Sequence, residues 1–440
     1  MTAPAAVPFG RLDGLRYGLL GLPLAFVALP LYVLLPNHYA RAYGVSLAAL
    51  GAVLLGARLL DALIDPLLGR WADRLHARSS RAVLAFGGAA ALVLMLGFGL
   101  LFFPQALVDP AQHAPLLAVA AALLGLTYAG YSALSIAHQS WGALLGGDAS
   151  QRSRIVGWRE GLGLVGVVLA SVVPTLAGLP VMVGLFAVLL AAGWWLWCQA
   201  PRPVQNTSNT QHVAGAVPTT FELRLPLRRA PFRRLLLVFM LNGIASAIPA
   251  TLVLFFVQDR LQAPAALEPA FLGSYFVCAA ASIPLWLRAV PRFGLAPCWL
   301  AGMLLSIAVF AWAGAMGTGD AVPFLAVCVL SGIALGADLV LPAALLAGVI
   351  SEARDAPNAG AYFGWWNFAT KLNLALAAGL ALPLLGLAGY SPGVRDAGAL
   401  QALTIAYCVL PCVLKLAASG ALWALVIRSD TPSSFSKVLP

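Results

Sequence analysis

Long apolar runs separated by short polar loops dominate the hydrophobic pattern of the chain. A helix needs about 20 residues to cross a hydrocarbon core about 30 Å thick, and we find twelve runs of about that length. They lie near residues 17–37, 44–65, 82–104, 115–145, 156–178, 180–200, 233–257, 268–290, 294–316, 321–350, 360–388 and 398–427. Segments such as 116–126 and 165–173 lack the period-two alternation of membrane β-strands. The pattern predicts an all-α membrane protein with about 12 transmembrane helices.

One polar segment, residues 201–232, divides the twelve runs into two sets of six. It contains Asn, Thr, Ser and Gln residues followed by a basic cluster. We expect an N-terminal six-helix bundle over 1–200, a cytoplasmic linker over 201–232 and a C-terminal six-helix bundle over 233–440. A basic loop after the second run, 69–81, is echoed after the eighth, which favours two pseudo-symmetric bundles with a site near the membrane midplane.

The composition supports a membrane location. Hydrophobic residues make up 61% of the chain and charged residues 10%, whereas soluble domains have about 45–50% and about 25%. The net charge of +10 comes from Lys and Arg in the loops, so we expect topology signals and anionic headgroups rather than nucleic acid. Their distribution predicts an inner (plasma) membrane protein with both termini cytoplasmic. The first run is too long for a signal peptide.

The second run carries charges at helical spacing. Arg58, Asp61 and Asp65 are three and four residues apart and share one helical face. Each would cost roughly 2.5–3.5 kcal/mol at the bilayer centre, so they should face a polar cavity or each other. This predicts a cation or proton site. A structural cluster, or one near the cytoplasmic interface, is the alternative.

A second group follows at the predicted cytoplasmic end of this run. We expect Gly69 to allow close approach of another helix, and Asp73 with Arg74 and Arg78 to form ion pairs that gate the helix ends. Ordinary positive-inside charge would explain the arginines but not Asp73.

The motif of Arg58, Asp61, Asp65, Pro66, Gly69 and Asp73 resembles the second-helix signature of the glycoside-pentoside-hexuronide:cation symporters, the major facilitator family of the melibiose permease. The eleventh run has an aromatic stretch followed by an intramembrane lysine, as that family does, and the fifth run has a similar Arg-containing segment. The residues concerned are Trp366, Asn367 and Lys371 in the eleventh run, and Arg152, Arg154 and Arg159 at the fifth.

This resemblance implies symport by alternating access. Asp61 and Asp65 would hold the coupling cation, Lys371 would approach them from the other bundle, and Arg159 would line the substrate cavity. A lysine opposite two carboxylates could replace the cation in the empty carrier. The implied substrate is a small organic solute such as a sugar or glycoside.

Four positions depart from the pattern that the resemblance implies. Ala25 and Ser132 stand where sugar-binding carboxylates are expected, and Ile64 and Ala129 stand where side-chain oxygens would bind sodium. We therefore favour a proton as the coupling ion, with sodium at Asp61 and Asp65 as the alternative. A lipid-like amphiphile such as a lysophospholipid, carried by a transporter of the same fold, is the alternative substrate.

Polar and aromatic side chains within the runs supply further candidates. His138 could relay a proton or be an ordinary core residue, and Lys415 could snorkel to the interface. The residues that we predict to bind substrate are Arg58, Tyr128, Ser132, Trp141, Arg159, Asp338, Trp366 and Asn367.

Other functional classes find less support in the sequence. We find no metalloprotease, nucleophile-elbow or phosphate-loop motif, so an embedded enzyme is disfavoured, as is a sensor that does not transport. Six cysteines without metal-ligand spacing predict neither a disulfide nor a metal site. We expect no cofactor, a small-molecule substrate and a monomer in the bilayer. Substrate identity and the direction of transport stay open.

Overall fold

The structure is a computed structural model that describes residues 9–45, 47–203, 224–390, 393 and 395–428. Helices make up nearly all of these residues, and no strand occurs among them. The prediction of an all-α membrane protein is confirmed. Most of the predicted linker, residues 204–223, lies outside the described residues.

Nine helices of the described chain are long and apolar enough to cross a membrane. They are Ser80–Phe102, His113–Leu144, Ala149–Pro174, Leu176–Cys198, Ala230–Arg260, Glu268–Phe293, Leu295–Ala313, Ala321–Glu352 and Ala397–Ile427. The other three predicted spans fall on the broken segment 11–43 and on the long helices Leu47–Arg78 and Ala359–Leu387.

The first sequence half begins with short helices. These are α1 (Arg11–Gly18), α2 (Gly21–Phe26), a π-helical turn (Pro30–Leu34) and α3 (Leu35–Tyr43). The long helices are α4 (Leu47–Arg78), α5 (Ser80–Phe102), α6 (His113–Leu144) and α7 (Ala149–Cys198). α4 continues well past residue 65, the predicted end of the second span, so Gly69 and Asp73 are helical. Gly178, with φ of 81°, breaks α7 into two spans.

The second half starts with α8 (Leu225–Arg228) and α9 (Ala230–Phe255), which ends in a π-helical turn (Phe256–Arg260). It continues with α10 (Glu268–Phe293), α11 (Leu295–Ala313), α12 (Ala321–Glu352) and α13 (Ala359–Leu387). The last span consists of α14 (Ala397–Thr404), a π-helical turn (Ile405–Val409), α15 (Leu410–Leu422) and a π-helical turn (Trp423–Ile427).

The chain forms two compact units. Unit 1 comprises the residues up to Pro226 together with Ile350–Phe368, and unit 2 comprises Leu227–Val349 with the residues from Ala369 onward. The segment Ile350–Phe368 thus belongs to unit 1, although it follows most of unit 2 in sequence. The predicted bundle boundaries at 200 and 233 remain a prediction.

Each unit has its own aromatic core. In unit 1, the rings of Phe98 and Phe186 lie 4.5 Å apart. In unit 2, Phe256 stacks on Tyr407 with ring centroids 4.3 Å apart, and both belong to a cluster of buried side chains from α9 to α13 and the last span. These cores hold the polar groups described below in fixed positions.

Candidate functional site

A buried carboxylate in unit 1 links α4 to α6. The Ser132 hydroxyl donates a hydrogen bond of 2.6 Å to Oδ1 of Asp61. Asp61 is 6% exposed and Ser132 2% exposed. A hydrogen bond to an ionised carboxylate is stronger than a neutral one, especially where water is excluded. The structure therefore brings together two residues that we predicted separately, one for the cation and one for the substrate.

Asp65 lies one helical turn after Asp61 and is fully buried. The exposed positions of α4 nearby are leucines, with Leu59, Leu60 and Leu63 more than half exposed. The two carboxylates thus lie on the buried side of α4 and the leucines on the outer side, as the spacing predicts. Arg58 is intermediate in exposure.

The first turns of α13 lie directly against α4 within unit 1. A Cβ on Gly69 would collide with the Gly360 carbonyl, and one on Gly364 would come within 2.6 Å of the Asp65 carbonyl oxygen. Small residues let membrane helices approach this closely. The close approach expected at Gly69 is present, and α13 contributes two glycines four residues apart to it.

Asp73 caps the start of α13. Its Oδ1 accepts from the backbone N–H of Gly360 at 2.5 Å and its Oδ2 from that of Ala361 at 3.0 Å. A carboxylate is favourable here, since the amino end of a helix carries partial positive charge. Oδ2 also lies 3.7 Å from Arg70, which in turn donates to Asn358 at 2.6 Å.

This arrangement corrects the predicted ion pairs of Asp73. Its partners are Arg70 and the backbone of α13, while Arg74 and Arg78 are exposed. The reason is geometric: residues 70 and 73 are one turn apart, whereas residues 73 and 74 are adjacent and residues 73 and 78 are five apart, spacings at which side chains of one helix do not meet.

One predicted residue of α13, Asn367, contacts α6. Gln139 donates to Ser135 at 2.9 Å and to Asn367 at 3.4 Å. Tyr128 and Trp366 are buried. Lys371 lies one turn beyond Asn367 on the same face of α13, belongs to unit 2 and is intermediate in exposure. Its approach to the carboxylates of α4 remains a prediction.

Two aromatic candidates occupy the core of unit 1. Trp141 is fully buried, donates from its indole to the Pro201 carbonyl at 3.0 Å and contacts Trp197 edge-on. His138 is fully buried and bonds through Nε2 to the Tyr17 carbonyl at 2.8 Å. Both positions fit packing. A substrate contact by Trp141 remains a prediction, and His138 fits the core interpretation better than a proton relay.

Arg159 forms an ion pair with Glu160, the next residue in the sequence, which is not part of the Arg-containing motif. Its guanidinium donates through Nε and Nη2 to Glu160 Oε1, at 2.9 and 2.5 Å. The Arg159 side chain is only 11% exposed. The charge is therefore neutralised locally.

Unit 2 contains a buried ion pair between α12 and α15. Lys415 Nζ lies 3.0 Å from Asp338 Oδ2 and donates to Asn242 Oδ1 at 2.8 Å. Asp338 also accepts from Trp299 Nε1 at 2.8 Å and from the Ser246 hydroxyl at 3.4 Å. Buried charges need such compensation, because desolvation costs several kcal/mol per ion.

The prediction that Lys415 snorkels to the interface is wrong. Its side chain is 5% exposed and reaches inward to Asp338. The pair borders a cavity of about 140 Å³ lined mainly by apolar and aromatic side chains of unit 2. The sequence did contain an indication of this pair: Asp338 and Lys415 are opposite charges in two apolar runs, and each would be costly to bury without a partner. No spacing rule, however, connects residues 77 positions apart.

Few side chains in the described part of the chain could act as ligands to a metal or sodium ion. No cluster of three or more His, Cys, Asp or Glu side chains occurs in the part of the chain that the structure describes. Sodium would therefore rely on the Asp61 and Asp65 carboxylates and neighbouring hydroxyls such as that of Ser132.

These features, nine long apolar helices in the described chain and buried charges in each of two compact units, define a multi-pass membrane protein. The chain belongs to the MFS/sugar transport protein family, whose model matches residues 16–428. No protein of curated function matches it in sequence.

Solved structures share its fold. A bacterial homologue of the iron transporter ferroportin, in an outward-facing state, superposes with a TM-score of 0.66 at 18% identity, covering 93% of this chain and 100% of the other. The E. coli fucose:proton symporter FucP gives 0.62 at 15% identity, covering 93% and 98%. At this identity the similarity shows the major facilitator fold alone.

Proposed function

We propose that the chain is a secondary active transporter that couples a cation to the movement of a small organic solute, such as a sugar or glycoside, by alternating access. The observation that carries the proposal is the burial of Asp61 and Asp65 on one side of α4. Two carboxylates are not kept at such positions in a membrane helix without compensation or use.

The coupling ion in this proposal is a proton. A carboxylate takes up one proton without further ligands, whereas sodium needs several oxygens, and the side chains of Ile64 and Ala129 supply none. Asp61 and Asp65 would bind the proton with the solute, and Lys371 would neutralise them in the empty carrier. Sodium is the alternative.

The solute would contact polar groups beside the carboxylates. The residues that we propose to contact the solute are Arg58, Tyr128, Ser132, Trp141, Arg159, Asp338, Trp366 and Asn367. The hydrogen bond from Gln139 to Asn367 supports a polar environment at this level of α6 and α13.

Gating would occur at the start of α13. Gly69, Asp73, Arg74 and Arg78 are proposed to control it, and the hydrogen bonds from Gly360 and Ala361 to Asp73 are the contacts that would break and re-form. Hydrogen bonds to a charged group are worth about 1.5–3 kcal/mol each, so they can bias a conformational equilibrium.

A flux assay tests the coupling. Purified protein is reconstituted into vesicles, proton and sodium gradients are imposed separately, and uptake of labelled hexoses, pentoses and glycosides is followed. We expect a proton gradient to drive accumulation and Asp65→Asn to abolish it. Asp109→Asn, at an exposed loop carboxylate, should leave it unchanged. Uptake driven by sodium alone would contradict the proton assignment, and equal accumulation by Asp65→Asn would contradict the coupling role.

A lipid-like amphiphile is the second candidate solute. The Ser132 hydroxyl is engaged by Asp61 and the side chain of Ala25 has no polar atom, so two expected sugar contacts are missing. Uptake of a labelled lysophospholipid but of no sugar in the same vesicles would select it.

We further propose a monomer in an inner (plasma) membrane with both termini cytoplasmic, acting without a cofactor or nucleic acid. Membrane-impermeant labelling of cysteines introduced at residues 78 and 109 in intact cells tests the orientation. Only the second should react from outside.

A further inference from the structure

The cavity of unit 2 lies apart in sequence from the acidic residues of α4. Its polar end is formed by Asp338 and Lys415, and the rest of its wall includes Tyr275, Phe310 and Val327. All the residues that line it belong to unit 2. At about 140 Å³ it is close to the roughly 150 Å³ of an engineered protein cavity that admits benzene. One six-membered ring therefore fits.

Several hydrogen-bond donors at this cavity are unused by the protein. An ammonium has three donors, and Lys415 gives two of them to Asp338 and Asn242. Within the described part of the chain, the hydroxyls of Tyr275 and Ser306 have no hydrogen-bond partner, although both residues line the cavity. Ser306 is 4% exposed. Neither hydroxyl oxygen is sealed off from solvent, so both can form a hydrogen bond to a molecule in the cavity.

The acceptor at the cavity is already engaged. Asp338 receives hydrogen bonds from Lys415, Trp299 and Ser246. The ion pair is also electrically neutral, so an additional ionised group would sit in an apolar cavity without a counter-charge, which is costly. The free donors therefore suit an uncharged oxygen, and the aromatic wall suits a ring.

We propose that this cavity binds a monocyclic aryl group carrying an uncharged oxygen substituent, as in a phenol. The ring lies against Tyr275 and Phe310. The phenol oxygen accepts from Lys415 and from one of the hydroxyls of Tyr275 and Ser306, and its own O–H donates to the other. The site uses none of the proposed coupling carboxylates and does not depend on their role.

Three probes test separately the roles of the aromatic ring, of the uncharged oxygen and of charge. Phenol, toluene and benzoate are titrated against the purified full chain in detergent by saturation-transfer difference NMR. The Val327→Phe variant, whose larger side chain should fill the cavity, measures the background NMR signal from phenol dissolved in the detergent. We expect saturable binding of phenol to the wild type, at least fivefold weaker binding of toluene and none of benzoate. Thermal unfolding checks that the variant is folded.

Two small substitutions test the donors without opening the core. Tyr275→Phe and Ser306→Ala remove only hydroxyls that lack a partner in the described part of the chain, so both variants should fold. Each should weaken phenol binding about fivefold, as expected for the loss of one hydrogen bond, and leave toluene unchanged. Ser274→Ala is the matched control, since its hydroxyl bonds to Phe271 of its own helix and lies outside the cavity.

The opposite results are equally clear. Phenol that binds Val327→Phe as well as the wild type, or no saturable phenol binding at all, overturns the site. Benzoate binding more tightly than phenol overturns the charge argument, and toluene binding equally well overturns the role of the donors. Phenol binding that persists in Asp65→Asn, whose coupled flux should be lost, would show that this site stands whatever happens to the proposed function.

Discussion

Lys415 and Asp338 form an ion pair inside unit 2, with Nζ 3.0 Å from Oδ2 and neither side chain more than 12% exposed. Asn242 also accepts a hydrogen bond from Lys415, and Trp299 donates one to Asp338. At a buried site, removing one charge of the pair destabilises the protein far more than removing both. The remaining ion then has neither water nor an opposite charge near it.

The first prediction concerns this pair. Lys415→Met and Asp338→Asn should each destabilise the protein by about 3–5 kcal/mol, since each leaves one buried charge uncompensated. The double variant should recover most of that loss. Thermal unfolding in detergent measures the effect, with the exposed Arg78→Ala as a control. A double variant less stable than either single one would contradict the interpretation.

A second prediction concerns glycines on α4. Gly69→Ala should cost about 1–3 kcal/mol, because the new Cβ would collide with the Gly360 carbonyl and force the helices apart. Gly56 is the matched control on the same helix, since a Cβ added there would meet no atom within 4 Å. Gly56→Ala should be neutral or stabilising by up to about 1 kcal/mol. Similar unfolding temperatures for the two variants would refute the close contact.

A third prediction concerns the cap on α13. Asp73→Asn replaces one of the two accepting oxygens with an amide NH₂, which cannot accept from the backbone N–H of Gly360 or Ala361, and should cost about 1–2 kcal/mol. Amide hydrogen exchange should rise at Gly360 and Ala361, whose N–H groups bond to the carboxylate. Asp109→Asn serves as the exposed control. Unchanged protection of the two amides would argue against the cap.

A fourth prediction involves the segment after α13. The Tyr390 hydroxyl donates to Asp259, which also accepts from the backbone N–H of Gly393 at 3.2 Å. Burial, followed by the hydrogen bond and charge of Asp259, raises the pKa of Tyr390 above its usual value. The phenol therefore remains a donor at physiological pH. Tyr390→Phe should cost about 1 kcal/mol near neutral pH.

The pH dependence of this effect has a defined sign. Because the pKa of Tyr390 is higher in the folded state, its contribution is complete below the unfolded value of about 10 and is lost as the pH rises above it. The stability difference between wild type and Tyr390→Phe should then narrow in alkaline solution. Adding Asp259→Asn to Tyr390→Phe should cost less than the sum of the single effects. A difference that widens above about pH 10, the usual pKa of a tyrosine, would contradict the argument.

The sequence predicted what depends on local periodicity. Asp61 and Asp65 fall on the buried side of α4 because a spacing of four places them one above the other, and the structure places them there. The long apolar runs became helices for the same reason. Burial of these positions required no knowledge of any partner.

What the sequence could not supply was pairing across long separations. The residues around Lys415 do not indicate Asp338 as its partner, and those around Gly69 do not indicate Gly360. Which residues of two distant helices meet depends on how the helices pack, and sequence spacing does not give this. His138 shows the same limit: a titratable residue in an apolar run has two interpretations until its bond to the Tyr17 carbonyl is seen.

The place of Ile350–Phe368 in unit 1 has a consequence for biosynthesis. The hydrogen bond between Asp73 and Gly360 joins residues 287 positions apart, and ribosomes add about 5–20 residues per second. The face of α4 that carries Asp73 is therefore synthesised roughly 15–60 s before Gly360, a delay obtained from that separation and that rate. Throughout this interval its glycine surface and its carboxylate depend on lipid, water or the insertion machinery for cover.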